Sequence, residues 1–113
     1  MQVIAVDGLP AEAVAAAAVF YGHHVQRVLV AARGLRDIAD GAVLIVLPPA
    51  DEAHREWRLA AVQSLAREAA PVRVNAVAGD GDEAIAAAHD WLATAPGITG
   101  QLFALDCQPT SLD

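Results

Sequence analysis

Lysine is absent from the 113-residue sequence: the seven basic side chains are all arginine, set against fourteen Asp and Glu, for a net charge of −7. So acidic a chain has no cationic footprint for phosphate backbones, and neither nucleic acid nor an anionic membrane surface is an expected partner. Cysteine occurs once, at Cys107, which excludes an internal disulfide and a zinc knuckle. Aromatic residues make up only 4%, so the core must be built from Ala, Val and Leu. No uninterrupted apolar run approaches the ~18–20 residues of a membrane span. Residues 1–20 carry Asp7, Pro10 and Glu12 with no basic segment, unlike a secretory leader. These absences point to a cytoplasmic chain. What is present, 56% hydrophobic and 19% charged residues, suits one Ala-rich globular domain, and 11.7 kDa leaves no room for a second.

Apolar periodicity divides the chain into short strands and longer helices. Val3-Ile4-Ala5-Val6, closed by Asp7-Gly8, reads as a buried parallel strand. Pro10 sits where a first helical turn tolerates it. Val14, Ala18, Tyr21, Val25, Val28, Leu29 and Ala32 then fall at steps of three and four, predicting the inner stripe of one long helix that ends at Arg33, with Gly34 as a left-handed stop. Gly22 inside it implies close packing against a neighbour. After a turn at Asp40-Gly41, Ala42 to Leu47 is the clearest buried strand, ended by Pro48-Pro49. A helix beginning near Asp51 or Glu52 shows Trp57, Ala61, Ser64, Leu65 and Ala69 as its inner stripe and stops at Pro71. Val72 to Val77 is a third strand. Asp80 and Glu83 have capping-box spacing ahead of a helix with Ile85, Ala88, Trp91 and Leu92 on one face, closed by Pro96-Gly97. Residues 101–105 form a fourth strand, and 108–113 a frayed tail. Strand–helix repeated three times and finished by a strand predicts an α/β fold, a parallel sheet of about four strands in sequence order with three helices. Right-handed crossovers would gather those helices on one face, leaving part of the other without its layer.

Ala66-Arg67-Glu68 with Ala70-Pro71, then Arg73-Val74-Asn75-Ala76-Val77, and finally Ile98-Thr99-Gly100-Gln101 before Leu105-Asp106 resemble, in order, diagnostic phrases of the short-chain dehydrogenase/reductase superfamily. Upstream, Gly41 to Pro48 is similar to the family's central strand. The resemblance covers nearly the whole chain but only the second half of the family's Rossmann-like, doubly wound fold, and it implies a single domain over residues 1–107. The family's Gly-rich dinucleotide turn has no counterpart at Asp7-Gly8-Leu9-Pro10. In register, the family's catalytic serine falls at about Pro48, its tyrosine near Arg55, its lysine at about Leu59 and its helix asparagine near Val19. Without lysine anywhere, no shift of register restores that role. Hydride transfer by the family mechanism is therefore not expected, nor is any cofactor. The resemblance implies a degenerate, non-catalytic member acting as an oligomerisation or protein-interaction module. The alternative is a small-molecule binder, or an enzyme of changed chemistry.

Other chemistry is sparse. His23-His24 point about 100° apart on a helix and read as a solvated pair rather than a metal site. His89 is expected beside Asp90 on a helix surface. Ser64, Ser111 and Cys107 lie in no strained nucleophile turn. Ligands of open α/β sheets sit at the carboxyl ends of the strands, so any ligand is expected in a crevice bounded by Asp7, Pro48, His54 and Asp80, with no metal. Arg55 and Arg58 could hold an anion near that edge, though surface arginines seldom need such a role. With no preceding segment to pair the Val3–Val6 strand, its bare edge and the long helix predict an obligate homodimer joined through helices.

Overall fold

In the computed structural model, which describes residues 1–105, four parallel strands lie side by side in sequence order. They are β1 (Gln2–Ala5), β2 (Ala42–Leu47), β3 (Arg73–Ala78) and β4 (Leu102–Ala104). The expected tail, with Cys107 and Ser111, lies outside the described residues. β1 leads into α1 (Ala13–Val19), a π-helical turn (Phe20–His24) and α2 (Val25–Leu35). β2 leads through a 3-10 turn (Glu52–His54) into α3 (Arg55–Ala69), and β3 into α4 (Asp82–Ala93). The α/β class, the four strands and their sequential order are as the sequence predicts. Among the described residues no helix is long and apolar enough to cross a membrane.

Register locks the two faces of the sheet. Ile4 pairs with Ile45, Ile45 with Ala76, and Ala76 with Leu102, and this row packs under α2 and α3 with Phe20, Val28, Val62 and Leu65. The alternate row contains Val46, Val77 and Phe103, which pack with Leu44 and Leu92. Hence α4 covers the face opposite to the other helices. Strand order never reverses, so the β3-to-β4 crossover has the opposite hand to the first two, correcting the expectation of helices on one face. The reason is written on β3. Its alternate positions, Arg73 and Asn75, are buried polar groups facing α4, and all their partners lie at the end of that helix or just beyond. Arg73 Nη1 donates to the carbonyls of Leu92 (3.2 Å), Ala95 (3.0 Å) and Ile98 (3.4 Å), a cation on the negative end of the helix. Asn75 Nδ2 donates to Ile98 O (2.9 Å) and its Oδ1 accepts from Gln101 N (3.0 Å). With α4 on the other face, both side chains would be buried without partners.

The first helical stretch departs most from its predicted shape. Its buried positions are Ala16, Phe20, His24, Val28 and Ala32, a succession of steps of four. In an α-helix each such step overshoots a full turn by about 40°; the wider π turn takes back part of that drift and keeps the row facing the sheet. The predicted stripe is displaced accordingly: Val14 is 85% and Tyr21 48% exposed, while Val25 and Leu29 still pack at the core's margin. His24 is buried rather than solvated. Gly22 has nothing within 4 Å of an added Cβ, so no close neighbour among the described residues explains it. Gly34 is not a left-handed stop either. It lies within α2, and the reversal comes later, where Asp40 takes φ 58° and Gly41 turns so tightly that a Cβ would stand 2.7 Å from Leu35 O. In α3 the buried row includes Arg58 and Val62, with Trp57 and Ser64 only half-buried. The capping box is absent: α4 starts at Asp82 with Gly81 at the N-cap and no side-chain cap, which leaves Asp80 in the preceding loop. Trp91 is 54% exposed, set edge-on against Phe103.

Candidate functional site

Parallel strands bring the ends of β1 to β4 to one edge, and there the first turn of α3 leans over the ends of β3 and β4. Between them is a cavity of about 220 Å³. Pro48-Pro49 ends β2 because neither residue can donate to a ladder, and Asp51 then starts the 3-10 turn by accepting from Ala53 N at 3.1 Å. This swings His54, Arg55 and Arg58 over the strand ends. Ala78, Leu102 and Ala104 form the sheet-side wall, and Asp51, Glu52 and Arg55 the charged rim.

His54 lines this cavity and is buried. Its Nδ1 accepts from Trp57 Nε1 (3.1 Å), which leaves the proton on Nε2 to donate to Ala11 O (2.9 Å). With both ring nitrogens engaged, the imidazole is a neutral latch between the loop before α1 and the start of α3. Trp57 continues that latch, packing on Phe20 at 5.5 Å.

Arg58, one turn further along, is 4% exposed. Nη1 donates to Pro48 O at 2.8 Å, the guanidinium lies 5.6 Å from the Trp57 ring centre, and Nε is buried with no hydrogen-bond partner. Burial alone draws its pKa below the usual arginine value, yet a guanidinium keeps its charge in a protein interior.

Of the four crevice residues expected from sequence, His54 therefore lines the cavity and Pro48 reaches it through the Arg58 hydrogen bond. Asp7 and Asp80 are exposed and are not among its lining residues. Asp7 is instead associated with His24 on the π turn, whose Nδ1 meets Arg27 Nη1 at 2.8 Å. Arg58 is the residue whose setting the sequence obscured. The sequence placed it near that edge as a surface cation able to hold an anion, but not its burial, because the carbonyl that receives it belongs to a strand end ten positions earlier.

A family model described as SDR-like, short chain dehydrogenase-like protein, matches residues 4–105. The chain belongs to the SDR-like family. No curated protein and no solved structure matches it. In this SDR-like chain the phrases that carry the resemblance interlock physically. Val74 N donates to Thr99 Oγ1 (3.0 Å) and Gly100 N to Val74 O (2.7 Å), beside the Arg73 and Asn75 bonds to the same loop. Gly100 takes φ +74° there, a conformation glycine adopts without a Cβ penalty. These residues fasten α4 and β4 to the sheet, on the face away from the cavity.

Proposed function

We propose that this SDR-like chain is a non-catalytic member of its family that acts by self-association, forming a homodimer through α1, the π turn and the start of α2. The observation that carries this reading is the outward stripe of Val14, Ala18, Tyr21 and Gly22, all exposed. No charged residue occurs from Ala13 to Gln26, so the helix is apolar on its solvent side as well as its core side. A helix apolar all round is ordinarily a buried one, and small Ala18 and Gly22 allow a second helix to approach closely. Val3 and Val30, 47% and 57% exposed, add apolar surface where α2 passes the β1 edge. A stable pair would bury on the order of 1,200–2,000 Å² in total. The non-catalytic part of the reading is supported by the absence of lysine and by the engagement of both His54 nitrogens.

Multi-angle light scattering at micromolar concentration should report about twice 11.7 kDa; a folded monomer would overturn the association. Titration calorimetry with NADH and NADPH should give no saturable heat. Micromolar affinity for either would overturn the non-catalytic reading.

A further inference from the structure

We propose that the cavity between the first turn of α3 and the ends of β3 and β4 binds a small organic monocarboxylate, with Arg58 as its counter-charge. This does not depend on self-association. Buried charges are ordinarily paired, yet among the described residues Arg58 forms no ion pair. One neutral carbonyl, Pro48 O, takes Nη1; Nε, without a partner, is closed to solvent, as is Nε of Arg73, so a ligand in the cavity would meet the terminal guanidinium nitrogens of Arg58. A guanidinium has five N–H donors in a planar fork that matches a carboxylate, so its hydrogen-bonding capacity is largely unspent in a wall of the cavity.

The other walls restrict the ligand further. Ala78, Leu102 and Ala104 give an apolar surface suited to a short alkyl group. Asp51 and Glu52 at the rim oppose a second negative charge, which disfavours a phosphate dianion, while Arg55 there favours the first. His54, neutral and with both nitrogens engaged, contributes shape without charge. A volume of about 220 Å³ holds an acid of only a few carbons.

Sodium isobutyrate is a suitable probe, titrated into the full chain at neutral pH with ionic strength held constant by sodium chloride and followed by 15N–1H spectra that include arginine Nε–H. The expected result is saturable shifts at Arg58 Nε–H and at the amides of residues 50–58 and 102–104, with a millimolar dissociation constant. Isobutyramide, of the same shape without the charge, should give none. Arg58→Gln should abolish binding; because Arg58 also tethers Pro48, Ala104→Phe at an exposed wall position is the second variant, expected to block binding while the remaining spectrum stays intact. Non-saturating shifts, equal shifts with isobutyramide, tighter binding of inorganic phosphate, or undiminished binding by Ala104→Phe would each overturn the assignment.

Discussion

Replacing Asn75 by alanine tests whether buried polar groups on β3 set the side on which α4 packs. Asn75 is 2% exposed and holds the segment after α4 by a donated bond to Ile98 O (2.9 Å) and an accepted bond from Gln101 N (3.0 Å). In the variant Ile98 O retains Arg73 Nη1 at 3.4 Å, so the group left stranded is the Gln101 N–H. Stranding this part-buried donor costs towards the lower end of the ~1–3 kcal/mol of a buried one, and the lost bond to Ile98 about 0.5–1.5 kcal/mol more. The expected destabilisation is about 2–3 kcal/mol, a large part of the ~5–15 kcal/mol typical of a domain. In urea at fixed protein concentration the midpoint should fall by about 1–2 M. Two fluorophores separate the faces: Trp91 packs on Phe103 beside α4, and Trp57 on Phe20 beneath α1 to α3. In Asn75→Ala the Trp91 transition should precede that of Trp57. A loss below about 0.5 kcal/mol, the range of ordinary surface substitutions, with coincident transitions would refute the reasoning.

Protonation of His24 is opposed first by burial and then by Arg27, which together lower its pKa from 6.5. The unfolded chain therefore binds the proton more readily, so the contribution of neutral His24 is complete above pH 6.5 and is lost as pH falls through the lowered folded value. Urea midpoints across this range should drop less steeply in His24→Gln, and an equal slope would contradict the assignment. Gly34→Ala, inside α2 with nothing within 4 Å of the new Cβ, should stabilise by about 0.5–1 kcal/mol in thermal melts. Gly41→Ala, whose Cβ would meet Leu35 O at 2.7 Å, should instead destabilise by about 1–3 kcal/mol.

β1 and β2 were legible because each is a short apolar run closed by Asp7-Gly8 or by Pro48-Pro49, and Pro48-Pro49 and Pro71 mark ends that backbone chemistry enforces. Which face the first helix buries was not. From Ala13 to Gln26 almost every residue is apolar, so steps of three and four fit more than one stripe, and the π turn shifts the register midway. The side taken by α4 depends on Arg73 and Asn75, whose partners arrive about twenty-five positions later in the chain. His54 was placed at the correct edge by the rule for parallel sheets. Of its two partners, the Trp57 indole lies three residues on, within reach of helical spacing, whereas Ala11 O, in the loop before α1, was not, nor was the carbonyl that receives Arg58. Asp7 and Asp80 shared that edge in sequence logic, but the cavity lies over β3 and β4, under α3, and its lining includes neither.

Sedimentation velocity at micromolar concentration, comparing the natural chain with Val14→Glu, tests the self-association reading most directly. Val14 is 85% exposed, so a carboxylate there costs the isolated fold little, whereas in a helix-to-helix interface it would be buried without a counter-charge. The expected result is a species of about twice 11.7 kDa for the natural chain and a monomer with unchanged far-UV circular dichroism for the variant. A natural chain that sediments as a folded monomer, or a Val14→Glu dimer as tight as the original, would contradict it.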